Sequence, residues 1–154
     1  MTTNQVIAKY GKPNETGKGY LTVIQLPYPM RLSWDKETIV TRLSCHKLIA
    51  EQLSNVFDAL LLQYTYEGLK MLEIDILGGC FNYRKMRNGN SWSKHSWGIA
   101  IDLNPAKNGL KTPYEKALFS ECVYEPMHDI FEHYGFINLG KEYGYDTMHW
   151  QVKN

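Results

Sequence analysis

The chain has 154 residues, of which 44% are hydrophobic and 21% are charged, and its formal net charge at pH 7 is +1. These values are typical of one globular domain, so we treat residues 1–154 as a single domain. The small net charge gives no reason to expect a nucleic-acid partner. No stretch reaches the roughly 18 apolar residues of a membrane span, so we expect no stable membrane insertion.

The first third of the chain predicts a short helix and a hairpin. Residues 3–10 predict a helix that Thr3 can cap and Gly11 ends. Residues 20–26 predict a strand, which the prolines Pro27 and Pro29 stop, and residues 30–34 predict its hairpin partner.

Helical spacing of apolar residues then predicts the main packing element, a long amphipathic helix over about residues 46–64. His46 would be a helix-end histidine. Residues 74–84 predict a strand with a kink at Gly78 and Gly79, and a polar loop follows over residues 85–90.

The second half predicts a strand over residues 98–103, a helix over residues 126–134 closed by Gly135, and a final strand over residues 148–152. Strands and helices do not alternate regularly. The sequence therefore predicts an α+β domain in which helices flank a small, mainly antiparallel sheet.

The three cysteines, Cys45, Cys80 and Cys122, do not suggest a site. Their number is odd and no CxxC pair exists, which excludes a disulfide framework and a cysteine zinc cluster. We expect buried thiols in a reducing compartment.

His95 and Asp102 stand out because small and apolar residues separate them. In a strand over residues 98–103, Gly98, Ala100 and Asp102 share one face, and this face leaves room for an ion beside the carboxylate. A straight strand would put the Cα atoms of His95 and Asp102 about 23 Å apart, too far for a shared ion. The ligand hypothesis therefore requires a sharp bend near Gly98.

A third ligand is expected near the C-terminal end. His128 and His133 are five residues apart on a predicted helix, about 140° around it, so they face different ways. His149 follows Asp146 by three residues and is the better candidate. Two histidines and one aspartate can hold Zn²⁺ and leave a fourth position for water, and Asp146 is then a candidate general base. Taken alone, Asp146 would more simply cap a turn after Gly144 and Tyr145, but beside His149 and with the first motif upstream we favour the base.

Positive charge also lies near these residues. We expect at least one arginine to bind a substrate carboxylate or to stabilise an oxyanion. Arg84 is preferred to Arg87 because it directly follows a predicted strand. Lys85 and Lys94 are expected to be solvated.

Two motifs together resemble a known family, from about Cys45 to the end of the chain: Ser93-x-His95-x-x-Gly98-x-Ala100-x-Asp102 and Asp146-x-x-His149-Trp150. They are similar to those of the zinc D-Ala-D-Ala carboxypeptidase and L-alanyl-D-glutamate endopeptidase family. Residues 78–84 and 95–105 are closer to its phage endolysin branch. The pair of motifs is specific, whereas either alone would be moderately so.

The resemblance implies a zinc peptidase with the fold shared by the zinc-binding domain of hedgehog signalling proteins. It implies His95, Asp102 and His149 as Zn²⁺ ligands and Asp146 as the catalytic base. It also suggests substrate or oxyanion contacts, and we assign oxyanion stabilisation to Arg84 and substrate binding to Ser93 and Arg87. Many family members carry glutamate as the base, and this chain has the shorter aspartate, as endolysin-like members do.

The expected substrate is a peptidoglycan stem peptide, cleaved as an L-alanyl-D-glutamate endopeptidase or, alternatively, as a D-Ala-D-Ala carboxypeptidase. Residues 1–8 lack a basic leader followed by an apolar run. We therefore expect a monomer made in the cytoplasm without a signal peptide, which acts on the wall after release during phage or prophage lysis.

Two readings of other classes remain open. A non-haem Fe(II) oxygenase also uses two histidines and one carboxylate, although the wide gap between His95 and Asp102 and the additional Asp146 argue against it. A catalytically silent zinc module is the other alternative. Such a module has no need of Asp146 and would be closed by a fourth ligand, so the role of Asp146 distinguishes the silent module from the peptidase.

Overall fold

The computed structural model describes residues 1–153, and Asn154, the last residue of the predicted domain, lies outside them. The strands are β1 (Leu21–Leu32), β2 (Asp35–His46), β3 (Ile76–Gly79), β4 (Ala100–Leu103), β5 (Phe136–Asn138) and β6 (His149–Val152). The α-helices are α1 (Thr3–Tyr10), α2 (Ala50–Met71), α3 (Glu125–His133) and α4 (Leu139–Tyr143). A 3-10 helix, Lys94–Trp97, precedes β4.

The strands form one sheet in the order β2-β1-β3-β4-β6-β5. The β1–β3 pair is parallel, and the other neighbouring pairs are antiparallel. The predicted α+β class, with a mainly antiparallel sheet and flanking helices, is therefore confirmed. No helix in the described residues is long and apolar enough to cross a membrane.

The predicted hairpin of residues 20–26 with residues 30–34 is wrong, because residues 30–32 belong to the first strand itself. Pro27 and Pro29 do not end the strand, because β1 continues to Leu32, and its antiparallel partner is β2. The pairing of β1 with β2 lapses between Gln25 and Met30, so the prolines lie where no ladder donor is needed. The strand β2 escaped prediction because most of its residues are exposed on both faces.

The long helix exists but begins later than predicted. It starts at Ala50 and has a break at Thr65, where φ is 62°. His46 is not a helix-end residue: it ends β2, is buried, and has Nε2 at 2.9 Å from the Tyr10 carbonyl oxygen. Leu53 and Phe57 of α2 lie in the same core cluster as Ile101 of β4.

Smaller differences follow from local chemistry. Thr2, not Thr3, caps α1, and it does so reciprocally with Gln5. The strand β3 ends at Gly79, so residues 80–84 are not part of it. The short elements β5 and α4 were not predicted. Cys45 and Cys80 are buried as expected, whereas Cys122 is exposed.

Strand β4 confirms the expected alternation on its apolar side. Ile99, Ile101 and Leu103 are fully buried. The opposite face is less open than predicted, since Ala100 is buried as well. Asp102 keeps a side chain that is 14% exposed. The room at this face is therefore local to Asp102.

Candidate metal centre

Three separate elements bring the predicted ligands together. His95 lies on the 3-10 helix, Asp102 on β4, and His149 begins β6. Asp102 and His149 are register partners on the antiparallel β4–β6 pair. Their side chains therefore leave the same face of the sheet as direct neighbours.

The bend that the ligand hypothesis required is present. The 3-10 helix ends at Gly98, which has left-handed backbone angles of φ 68° and ψ 32°. A Cβ atom at Gly98 would lie 3.0 Å from the backbone nitrogen of His46 and 2.9 Å from Leu21 Cδ2. Both the conformation and the close packing therefore require glycine at this turn.

The ligand atoms converge on one point. His95 Nε2 lies 3.2 Å from Asp102 Oδ2, and His149 Nδ1 lies 3.1 Å from Asp102 Oδ1. One ligand atom from each residue fits within 4.8 Å of the others, and the two imidazole planes are nearly perpendicular at 89°. His95 and His149 are buried, at 3% and 8% exposure.

The orientation of His95 suits a cation. Its Nδ1 lies 2.7 Å from the Cys80 carbonyl oxygen, so Nδ1 carries the proton and donates it. Its Nε2 is buried and has no hydrogen-bond partner. A buried lone pair beside a carboxylate is what a metal ligand presents, so the three residues fit Zn²⁺.

The charges of the centre stabilise one another. Burial would raise the pKa of Asp102, but the hydrogen bond from His149 and the adjacent His95 imidazole outweigh burial and lower that pKa well below its usual range. Burial opposes the charged form of His149, yet the hydrogen bond and charge of Asp102 outweigh it and raise the pKa of His149. Asp102 is therefore an anion that attracts positive charge into the site.

The charges of the three candidate ligands act on the Asp146 carboxyl. Asp146 itself is not part of the group of residues that could share one ion. It is 7% exposed, and its Oδ1 is buried without a hydrogen-bond partner. Burial raises the pKa of the Asp146 carboxyl, and the charge of His149 offsets part of this effect. A carboxylate with a raised pKa is well suited to accept a proton.

The turn that carries Asp146 is held in an unusual conformation. Asp146 has a positive φ of 64°, and its carbonyl oxygen accepts a hydrogen bond from the His149 amide. The buried Asn138 donates to the Thr147 carbonyl oxygen at 2.8 Å and caps α4 through Lys141. Sequence reasoning missed Asn138, although an asparagine just before a short helix is a recognisable cap signal.

The predicted substrate residues have mixed placements. Ser93 is buried and caps the 3-10 helix, with its Oγ accepting from the His95 amide at 3.3 Å. Arg84 does not directly follow a strand, contrary to our expectation. It lies in an extended segment whose backbone pairs with Ser93, and its Nη1 donates to the Lys85 carbonyl oxygen at 3.3 Å.

Arg87 is exposed in the loop beyond Arg84, and its charge acts on Asp146, lowering the pKa of that carboxyl. Arg87, which the sequence ranked below Arg84, is therefore within electrostatic reach of the candidate base.

Two residues that the sequence did not single out support the centre. Ser96 is fully buried, and its Oγ donates to the Arg84 carbonyl oxygen at 2.8 Å while accepting from the Arg84 amide at 3.0 Å. Gly78 lies against Asp102, where a Cβ atom would meet Asp102 Cβ at 2.9 Å. Gly78 thus allows β3 to approach the ligand strand closely.

The first twenty residues also contact the turn that carries His95. Trp97 Nε1 donates to the Gly11 carbonyl oxygen at 2.6 Å. The Tyr20 hydroxyl donates to the Ser96 carbonyl oxygen at 2.8 Å. The N-terminal segment, for which the sequence indicated no role, therefore stabilises the turn that carries His95 through these two hydrogen bonds.

Comparison with known proteins agrees with this geometry. Residues 87–152 match the family model described as D-alanyl-D-alanine carboxypeptidase. Neither the curated proteins nor the solved structures contain a match to the chain. The family match supports a hydrolase of the zinc peptidase class that acts on peptidoglycan. The resemblance to the D-alanyl-D-alanine carboxypeptidase family is thus confirmed over residues 87–152, the segment that supplies the three candidate ligands and Asp146.

Proposed function

We propose that the protein is a zinc metallopeptidase that hydrolyses a peptide bond in peptidoglycan stem peptides, as an L-alanyl-D-glutamate endopeptidase of the phage endolysin type. The observation that carries this proposal is the convergence of His95, Asp102 and His149 beside a separate buried carboxylate, Asp146. A structural zinc site is usually closed by four ligands, whereas a hydrolytic one keeps a position open.

The three ligands would hold the ion through His95 Nε2, His149 Nδ1 and the Asp102 carboxylate. When bound, Zn²⁺ supplies Lewis acidity, which lowers the pKa of water toward about 7 and polarises a peptide carbonyl. Asp102 compensates the positive charge, and the burial of both imidazoles strengthens these interactions.

Asp146 would act as general base and then as general acid. Its carboxylate accepts a proton from water as the water attacks the peptide carbonyl, and it returns that proton to the departing amine. The raised pKa of Asp146 makes its carboxylate a stronger base toward the attacking water. Asp146 has a left-handed backbone conformation, and its carboxylate is not one of the groups that could share the ion.

An arginine would bind the developing oxyanion or a substrate carboxylate. Arg87 is favoured for a contact close to Asp146 because its charge acts on that residue. Arg84 would contribute from the segment fixed by Ser96. Ser93 would contact substrate through the proton of its hydroxyl, since its oxygen accepts from the His95 amide.

A second candidate function is a D-Ala-D-Ala carboxypeptidase, which the description of the matching family favours. Such an enzyme must bind the free carboxylate at the end of the stem peptide, and Arg84 and Arg87 are candidates for this contact. The endopeptidase proposal rests on the likeness of residues 78–84 and 95–105 to the endolysin branch. On that proposal a monomeric protein acts on the wall after release from the cell.

A catalytically silent zinc module and a non-haem iron protein are alternatives of other classes. Both are disfavoured by Asp146, because neither needs a buried carboxylate beside the ligands at a strained backbone position. Elemental analysis of the purified protein separates iron from zinc.

The test is digestion of purified peptidoglycan, followed by mass spectrometry of the new ends. New L-alanine carboxyl and D-glutamate amine ends support the endopeptidase. Released D-alanine supports the carboxypeptidase. An absence of cleavage by zinc-loaded protein would contradict both activities and favour the silent module. The Asp146→Asn variant, loaded with zinc, is the matched control for contaminating hydrolases.

A further inference from the structure

We propose that Gln151 is the positioning residue that fixes the tautomer of His149, so that Nδ1 of the imidazole is left to bind the cation. The inference rests on the proposed zinc site and adds a residue to it that neither the motif nor the family match assigns.

The geometry around His149 carries the argument. Its Nδ1 lies 3.1 Å from Asp102 Oδ1, and its Nε2 lies 3.0 Å from Gln151 Oε1. A carbonyl oxygen of a glutamine can only accept a hydrogen bond, so Nε2 must carry a proton and donate it. In the neutral ring, the lone pair is then on Nδ1, which is the nitrogen that points at the ligand group.

The strand makes this contact possible. His149 and Gln151 are two residues apart on β6, so their side chains leave the same face. Their register partners on β4 are Asp102 and Ala100. The small side chain of Ala100 leaves space beside Gln151, and the glutamine can extend along the strand to His149.

The two imidazoles of the site are oriented by different means. His95 donates to a backbone carbonyl, that of Cys80, which no side-chain substitution removes. His149 donates to a side chain, that of Gln151. A point substitution can therefore change the preferred tautomer of His149 but not, by the same means, that of His95. A rotated amide, or an apolar side chain at position 151, would let the proton move to Nδ1 and block the cation.

The experiment measures Zn²⁺ affinity of the full chain by competition with a chelator. Gln151→Met removes the acceptor at similar size, and Gln151→Glu keeps an acceptor. Loss of such a partner typically weakens metal affinity by about 10–100-fold. We expect this loss for Gln151→Met, and for Gln151→Glu we expect affinity at least equal to that of the wild type. Gln25→Met is the matched control and should bind zinc normally, because Gln25 is an exposed residue of β1 whose amide donates to the Thr41 carbonyl oxygen.

The visible spectrum of the Co²⁺-loaded protein provides a second readout, because an altered donor nitrogen changes the ligand geometry, whereas a general loss of stability does not. We expect altered bands in Gln151→Met and unaltered bands in Gln151→Glu. If Gln151→Met does not fold, Gln151→Val, which suits a strand, replaces it.

Unchanged zinc affinity in Gln151→Met, or an equal loss in Gln151→Glu, would overturn the inference while leaving the zinc site intact. Wild-type protein that binds no zinc would overturn the proposed function and, with it, the role of Gln151. The Gln151 variants test the inference and the wild-type protein tests the zinc site, so the two failures are distinguishable.

Discussion

Asp102 and His149 are register partners on adjacent antiparallel strands, and Oδ1 of the carboxylate lies 3.1 Å from Nδ1 of the imidazole. One carboxylate therefore faces both histidines, because its Oδ2 lies 3.2 Å from His95 Nε2. This relationship makes Asp102 the centre of the site, and the protonation of His149 depends on it.

Replacing the candidate base should separate metal binding from catalysis. Asp146→Asn keeps the size of the side chain, and asparagine tolerates the positive φ of 64° at this position. We expect zinc binding to remain and peptidase turnover to fall by about 10²–10⁴-fold, the usual contribution of a general base. Zinc content and hydrolysis are measured on the same sample.

Asp129→Asn, which changes an exposed carboxylate on α3, is the control for this substitution and should be fully active. Loss of zinc together with activity in Asp146→Asn would instead make Asp146 a fourth ligand.

Zinc affinity should weaken as pH falls, beginning above the ordinary histidine pKa. Although burial opposes its charged form, His149 has a pKa raised above 6.5 by Asp102. A cation must displace that proton, so competition begins at a pH where a free histidine is still neutral. Isothermal titration between about pH 8 and about pH 5 measures this dependence. A constant affinity over that range would rule out His149 as a ligand.

The metal-free protein should have a different pH dependence. The raised pKa of His149 contributes stability that is complete below pH 6.5 and is lost as pH rises through the folded pKa. The lowered pKa of Asp102 contributes stability that is present above pH 3.8 and is lost as pH falls through the folded pKa. The pair therefore stabilises the metal-free fold most between pH 3.8 and 6.5.

Zinc binding strengthens as pH rises, whereas the metal-free fold loses stability. The increase in melting temperature on adding zinc should therefore grow from about pH 6 to about pH 8. Calorimetry with and without a chelator measures the gain. A gain that shrinks over this range would contradict the assignment of the His149–Asp102 pair.

The turn at Gly98 should be intolerant of a side chain. Gly98→Ala places a Cβ 3.0 Å from the backbone nitrogen of His46 in a left-handed conformation. We expect a loss of about 1–3 kcal/mol in the free energy of unfolding and weaker zinc binding, since the turn orients His95. Urea denaturation measures the first effect. Gly89→Ala, where the closest atom lies at 3.9 Å, should change stability by less than about 0.5 kcal/mol.

The N-terminal segment should support the site at a distance. Tyr20→Phe removes the hydroxyl that donates to the Ser96 carbonyl oxygen and leaves that oxygen without its partner. We expect a loss of about 1–3 kcal/mol in stability, together with a measurable loss of zinc affinity. Tyr143→Phe, at a tyrosine that is 63% exposed, is the control. Equal stability of both variants would show that the contact carries no energy.

The sequence predicted the features that depend on local pattern. The alternation of Ile99, Ile101 and Leu103 predicted the buried side of β4 and of the residue before it, and the distance argument predicted the bend at Gly98. The fold class followed from the irregular order of elements. These predictions succeeded because the two-residue alternation of a strand and the length of an extended segment are properties of the backbone alone.

Features that depend on tertiary context were missed. Pro27 and Pro29 read as strand terminators, but a lapse in pairing with β2 accommodates them. Gln151 looked like an ordinary strand residue, because only the pairing of β4 with β6 and the ring of His149 define its role. Arg84 was favoured over Arg87 from a strand end that the structure places at Gly79, five residues earlier.

The contacts that Gly11 and Tyr20 make with the His95 turn also bear on protein engineering. Transplanting only the family-matched segment, residues 87–152, into another scaffold would carry all three ligands and Asp146. It would leave behind the carbonyl of Cys80, which sets the tautomer of His95, and the backing that the first twenty residues give the turn. A portable version of this candidate metal centre must therefore include the N-terminal segment, because the matched motif is smaller than the unit that shapes it.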